Sequence, residues 1–429
     1  ENVIPELTEI AQENEDFSGE SEELNGAYAA TGSTWTMGAM FAHTSGLPLS
    51  VSIDGNNMDT QEYFFPGIIT LGDILKEEGY SQTLLIGSDA TFGGRRLYFT
   101  EHGNYDVVDH PYALQNGLLP AGYHVWWGYE DMHLFKFAKE KLEELSKQDT
   151  PFNLTMLTVD THFEDGYICS ECQDTYGDDQ YSNVIACSDR QLGEFIRWIQ
   201  RQDFYENTTI VLVGDHLTMD KDYCEDISEG YERKAYVAYI NSPFEDSIDI
   251  AREYTTMDHF PTTLAALGVE IEGNRLGLGT NLFSSEQTLT ERFGIQQVNR
   301  ELKKNSKMME EMADLDKDNK ELMIREGRAP KASVIAGEYQ RDQGLIPVSV
   351  TDIENVTNGI QSVQMAVWTK VDQSDLQWIP MEITGDGTYT ANVNVMSYGF
   401  YEGEYQIHVY AVDGDGEWSI LGTAVGIVN

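Results

Sequence analysis

Cations are scarce in this sequence. Of 429 residues, 27 are Lys or Arg against 73 Asp or Glu, a formal net charge of −46. Such a chain repels polyanions, which excludes nucleic-acid binding and direct adhesion to an anionic membrane; contact with anionic lipid requires a tether. Long apolar runs are missing as well. No stretch approaches the roughly 18 consecutive apolar residues of a membrane helix, and the residues from Glu1 onward lack a signal-peptide pattern. The chain therefore reads as a soluble portion whose targeting elements have been removed. Cysteine is sparse too, with Cys169, Cys172, Cys187 and Cys224 clustered in one region. Their even number suits disulfides, with free thiols or a metal knuckle as alternatives, since a single C-x-x-C is a weak zinc signal.

What is present is a two-part rhythm. The length exceeds a usual single core, so a large domain and a small one are expected. From residue 70 to about 268, short apolar runs ("SQTLLIG", "PFNLTMLTV", "NTTIVLVG", "KAYVAYI") alternate with helical patterns ("HLFKFAKEKLEELSKQ", "SNVIACSDRQLGEFIRWIQRQ"), the texture of an α/β sheet with crossover helices. Residues 301–332 read as a charged helical linker or strap ended by Pro330. From 333 to 429, "SVQMAVWTK", "TYTANVNV" and "EYQIHVYAV" alternate in period two between turn signals such as "GDG" at 385–387 and 414–416, which predicts a small all-β sandwich. His408 sits within that alternation as a structural residue.

Chemistry concentrates in the first part. In "TIVLVGDHLTMD" an apolar strand runs into Asp215 and His216, and the carboxyl ends of strands are where ligands collect in open α/β sheets. A carboxylate beside an imidazole suits Mn²⁺, Zn²⁺ or Mg²⁺, although Asp215 could instead cap the next turn. "VDTHFEDGY" places Asp160, His162, Glu164 and Asp165 on the same expected rim. "IGSDATFGGRRLYF" brings Arg95 and Arg96 after a Gly-rich turn. In so acidic a chain that suggests an anion grip, the alternative being that one or both offset surplus carboxylates. Gly32 can close a tight turn, after which "TMGAMFAHTSG" reads as a short helix of small residues ending near Gly46 with Thr36 in its first turn. There the helix dipole and a nearby divalent cation would activate a hydroxyl, unless the threonine is only an N-cap.

The order of "TGSTWTMGAMFAHTSGLPL", "GSDATFGGR", "LTVDTH", "VGDH" and "HFPTTLAALGV" resembles the phosphoglycerol transferases of the alkaline phosphatase and sulfatase superfamily, which include lipoteichoic acid synthases and enzymes that decorate membrane-derived oligosaccharides. The resemblance covers about residues 1–300, the catalytic domain, and the "GSD-x-x-FGG" loop points to the oligosaccharide-type branch. It implies an alkaline phosphatase/sulfatase-like fold, a mostly parallel sheet flanked by helices. By the same resemblance Thr36, rather than Thr34, is nucleophile and metal ligand, and Asp215 and His216 are further metal ligands. Arg95 and Asp89 bind substrate, and His162 contacts the glycerol phosphate or assists the leaving group. The implied cofactor is a divalent ion, Mn with Mg or Zn as alternatives. The implied partners are a phosphatidylglycerol-type lipid and a glycan or teichoic acid acceptor, at the cell membrane through an N-terminal anchor. Where lipoteichoic acid synthases carry a His and a Trp, this sequence has Ile86 and Gly93, which puts glycerol binding or the acceptor in question. No C/S-x-P-x-R element is present, so sulfate ester hydrolysis is disfavoured.

The segment from 335 to 429 resembles an immunoglobulin-like repeat of Gram-positive surface proteins, which agrees with an extracytoplasmic location. Two competing readings are a phosphodiesterase or phosphatase of the same fold and a non-catalytic surface binding protein. The resembled family completes its metal site with a glutamate on a first strand, upstream of a segment like "NVIPELTEIAQEN". That strand is absent here, and Glu1, Glu6 and Glu9 belong to a helical pattern instead, so the expectation is a sheet lacking one strand and a weakened metal site.

Overall fold

Strands form where β-branched and leucine-rich runs meet turn residues. In the computed structural model they are β1 Ser81–Ile86, β2 Asp106–Val108, β3 Phe152–Leu157, β4 Ile210–Val213 and β5 Val237–Ile240. The model describes residues 2–53, 55–225, 227–228, 230–243, 250–314, 330–354, 356, 360–370, 375–384, 387–413 and 418–428. It divides into two compact units, Glu1–Leu315 and Asp316–Asn429.

In the first unit β1 is central to a parallel sheet of order β2-β1-β3, with Leu84 paired to Val107 on one side and Thr155 on the other. β4 pairs antiparallel with β5. The expected crossover helices are Asp131–Leu145 and Gln180–Ile199. They meet through Phe135 and Phe195, whose rings lie 5.3 Å apart. The N-terminal helix Pro5–Glu13 is fixed to Gln180–Ile199: Asp189 accepts hydrogen bonds from the backbone N–H of Glu6 and Leu7, and Glu6 pairs with Arg197. β1 and β5 are almost wholly buried, whereas every residue of β3 and β4 is half-buried. Each of the latter pairs with one neighbour among the described residues, and both line a single cavity of about 1380 Å³. A two-residue hairpin, β6 Arg275–Leu276 with β7 Gly279–Thr280, follows the helix His259–Ala266.

Within the expected linker, a short helix Lys307–Ala313 straps back onto this unit, where Met309 and Ala313 join the core around Phe41 and Phe64. Residues 315–329 lie outside the described residues, as do the "GDG" turn at 414–416 and the first two positions of the one at 385–387.

The second unit contains β8 Lys331–Ala336, β9 Leu345–Glu354, β10 Ile360–Trp368, β11 Gln377–Ile383, β12 Tyr389–Asn394, β13 Gly403–Asp413 and β14 Trp418–Val428. The expected sandwich takes the form of one antiparallel sheet, order β14-β13-β10-β11-β12-β9-β8, wrapped about one core. Its two edges approach closely, for Gly422 lies against Val334. Period two is visible in the packing: Val363, Met365 and Val367 point into the core with Tyr405, Ile407 and Val409. His408 faces the other way, its ring 4.6 Å from that of Trp368.

Candidate active site

Thr36 opens the helix Thr36–Ser45. Trp35 precedes it in extended conformation without a side-chain cap, and Thr36 and Met37 of the first turn line the cavity, so this helix start offers uncapped N–H groups beside it. Nearly the whole helix is buried, which its small residues permit: a Cβ on Gly38 would fall 2.7 Å from the Gly32 carbonyl and 3.0 Å from the Trp35 ring. Gly46, in the left-handed region, ends it by donating to the Ala42 carbonyl. Thr36 is half-buried at the cavity, while Thr34 is exposed outside the helix.

β4 delivers Asp215 and His216 to the same place. His216 Nδ1–H donates to the Leu217 carbonyl (2.9 Å), which leaves Nε2 directed at the site. Nε2 lies 3.5 Å from Thr36 Oγ1 and 3.4 Å from Asp215 Oδ2, and Asp215 Oδ1 accepts the His216 backbone N–H. A hydroxyl, a carboxylate and an imidazole converge, a donor set that fits a divalent ion of hard to borderline character.

The β1 loop supplies the cation. Gly93 and Gly94 both take positive φ, 70° and 79°, and turn the chain into the helix Arg95–Glu101. Arg95 is only 7% exposed; its Nη2 donates to the Asp89 carbonyl (2.9 Å) and its guanidinium lies 5.5 Å from the Phe92 ring centre. Its Nε is buried without a partner among the described residues, a donor costing about 1–3 kcal/mol unless an anion accepts it. Burial pushes the guanidinium down to about 10, still charged at neutral pH. The Asp89 carboxylate accepts the Thr91 N–H, so this side chain shapes the loop that carries Arg95. Arg96 is locked to Asp109 and belongs to the alternative reading, offsetting a buried carboxylate.

After β3, His162 reaches the cavity. Its Nδ1–H donates to the Phe163 carbonyl (2.6 Å), so Nε2 is again free, and burial holds the imidazole below its usual value. The other three residues expected on this rim do not line the cavity. Asp160 turns inward instead and caps the helix Asp131–Leu145, accepting the Asp131 N–H, because that helix start has no other partner. The structure also adds residues that sequence reasoning missed. His43, two turns after Thr36 on one helix face, lines the cavity half-buried; desolvation of its ring pushes it down to about 4, so it is neutral. The i, i+7 spacing was the available signal. Trp127, from "HVWWGYE", sets its ring 4.9 Å from that of His162; paired tryptophans before a glycine were the clue.

The cysteines depart from the even-number expectation. Cys172 and Cys187 form one disulfide, while Cys169 and Cys224 are free thiols, with Cys169 Sγ 3.7 Å from Cys172 Sγ.

Residues 24–269 match the sulfatase family, and residues 336–425 match the GBS Bsp-like repeat. The chain belongs to the sulfatase family. It is 31% identical over 291 residues to phosphoglycerol transferase I of Xanthomonas axonopodis pv. citri (strain 306), covering 66% of this chain and 40% of that protein. It is 32% identical over 301 residues to phosphoglycerol transferase I of Citrobacter koseri, covering 68% and 37%. The chain thus spans about two fifths of the length of these relatives. The fold is shared with the lipoteichoic acid synthase LtaP from Listeria monocytogenes, with a TM-score of 0.52 at 17% identity over 66% of this chain and 70% of that one. Members of this superfamily are generally dependent on a divalent metal.

Proposed function

We propose that this chain carries the catalytic centre of an extracytoplasmic phosphoglycerol transferase that forms a covalent intermediate on Thr36. The observation that carries this reading is the meeting of Thr36 Oγ1 with His216 Nε2 and Asp215 in the cavity that Arg95 also lines. The Thr36 hydroxyl gives up its proton as its oxygen attacks the phosphorus of a phosphatidylglycerol-type lipid; the bond to diacylglycerol breaks, and the departing oxygen takes up a proton in exchange. A hydroxyl of an envelope glycan or teichoic acid then loses its proton as it attacks the same phosphorus, and the bond to Thr36 breaks with the threonine oxygen reprotonated. Arg95 holds the phosphoryl oxygens with its unpartnered donor, and His162 Nε2 handles the proton or the glycerol hydroxyls. A divalent ion held by Thr36, Asp215 and His216, most simply Mn²⁺, with Mg²⁺ or Zn²⁺ as alternatives, would lower the hydroxyl pKa and neutralise phosphoryl charge.

The family resemblance calls for a glutamate on a further strand. The half-buried edges of β3 and β4, lining one cavity that ends at Thr36 and His216, support a seat for it. No helix among the described residues is long and apolar enough to cross a membrane. A membrane tether and a Gram-positive cell surface are part of the proposal, supported by the C-terminal repeat. The reading is tested with fluorescent phosphatidylglycerol, with and without added glycan. Diacylglycerol release together with labelled glycan supports it; release with glycerol phosphate alone indicates a hydrolase, and no release from an intact, membrane-anchored form indicates a binding protein.

A further inference from the structure

The cavity mouth carries an aromatic pair that the phosphate chemistry does not use. Trp127 is 43% exposed and Phe92 53%, with ring centres 6.2 Å apart. Both line the cavity that contains Thr36, His162 and Arg95, yet neither is needed to close a core. Trp127 is held there by construction. Val125 and Gly128 exchange both backbone hydrogen bonds (2.8 and 2.9 Å), and Gly128 bridges to Ser88 at the end of β1. A Cβ on Gly128 would fall 2.1 Å from the Gly87 carbonyl, so the loop lies directly on the β1 loop that carries Arg95. Trp126 takes a positive φ of 56° and stacks on Tyr167, which leaves Trp127 to lean over His162. A non-glycine residue held at positive φ beside a site is maintained by its surroundings and marks a shaped loop.

We propose that Trp127 and Phe92 form a stacking subsite for an uncharged sugar ring of the acceptor, at the mouth of the phosphoryl-transfer cavity. This rests on the transferase reading above. A sugar ring presents an apolar C–H face to an aromatic plane while its hydroxyls stay in water, and a half-exposed aromatic body suits such an amphipathic ligand. The donor's phosphate belongs deeper, at buried Arg95 and half-buried Thr36, which leaves the rim for the second substrate. Charge decides between acceptor types. A chain of net charge −46 repels a poly(glycerol phosphate) acceptor and equally an anionic bilayer, whereas a neutral ring meets no such barrier.

The test is electrophoresis of the whole chain through native gels cast with a soluble neutral β-glucan, with poly(glycerol phosphate), or with neither, alongside sedimentation with phosphatidylglycerol vesicles. The expected result is retardation by the glucan only, weakened about tenfold by Trp127→Ala, largely retained by Trp127→Tyr, and unchanged by Trp378→Ala in the second unit. Trp378→Ala is the control because that unit also has exposed tryptophans, Trp378 and Trp418, 5.3 Å apart. Failure of the wild type to be retarded overturns the proposal, as does retardation lost in Trp378→Ala but not Trp127→Ala. Vesicle binding that depends on Trp127 overturns it in favour of a membrane rim. Diacylglycerol release separates this from the parent reading: glucan binding through Trp127 without release by an intact, membrane-anchored form sinks the activity and keeps the subsite. Release without glucan binding does the reverse. A Trp127→Ala variant that slows diacylglycerol release as much as glycan labelling assigns the ring to the glycerol and contradicts the acceptor role.

Discussion

Arg95 shows how a single side chain states its purpose. A charged group that is 7% exposed, with one nitrogen on the Asp89 carbonyl and Nε unpartnered among the described residues, is stable only if something anionic completes it. A lysine cannot reproduce both the carbonyl bond and a planar fork on phosphate, so Arg95→Lys is expected to lose nearly as much activity as Arg95→Ala. Steady-state rates of diacylglycerol release check this; a lysine variant with full activity would mean that a point charge suffices. At this scale the sequence foretold that Thr36, Asp215 and His216 would meet, because their motifs fix both residue and direction. It did not show that the Asp160 carboxylate is claimed by the start of a distant helix, nor that the Asp89 carboxylate also accepts the N–H of Thr91 in its own turn.

Among the elements, the helix Asp131–Leu145 and the turn after β3 are joined by two buried carboxylates. Asp131 accepts the N–H groups of Val159 and Asp160, and Asp160 accepts that of Asp131. Burial, and for Asp160 also the neighbouring Asp131 charge, raises both above the ordinary carboxylate range. A raised folded-state pKa gives stability that is present below the unfolded value and lost as pH rises through the folded one. Melting temperature should therefore fall as pH is raised from the carboxylate range through neutrality. Asp160→Asn should flatten that slope and raise the melting temperature at alkaline pH; an unchanged slope would show the pair does not share the burden. The cysteines give a second expectation. One disulfide closing a sequence separation of 15 contributes about 3 kcal/mol. Intact mass should rise by one pair of hydrogens on reduction, with two thiols reactive in the unreduced, unfolded chain. A gain of two pairs would mean that Cys169 and Cys224 are also bridged. Strands and crossover helices were legible because their periods are local, whereas the pairing of Cys172 with Cys187 depends on a helix and a loop brought together by tertiary packing.

For the whole molecule, the cavity along β3 and β4 is the feature on which the proposed activity turns. Composition and period revealed an α/β unit followed by an all-β unit, but only the partners of β3 and β4 show that each has an edge left half-buried. If a further strand brings a carboxylate to Thr36, Asp215 and His216, a version extended upstream should hold Mn²⁺ at least about 10 to 100-fold more tightly than this chain, by elemental analysis after dialysis. Equal, stoichiometric metal in both would show that no such ligand is required. The most direct measurement is peptide mass spectrometry of the extended protein quenched during turnover of phosphatidylglycerol with Mn²⁺. The expected result is one glycerophosphoryl group on the peptide that begins the helix Thr36–Ser45, located at Thr36, present in Thr34→Ala and absent, together with diacylglycerol release, in Thr36→Ala. Sustained release of diacylglycerol by Thr36→Ala, or an adduct located at Thr34, would contradict it.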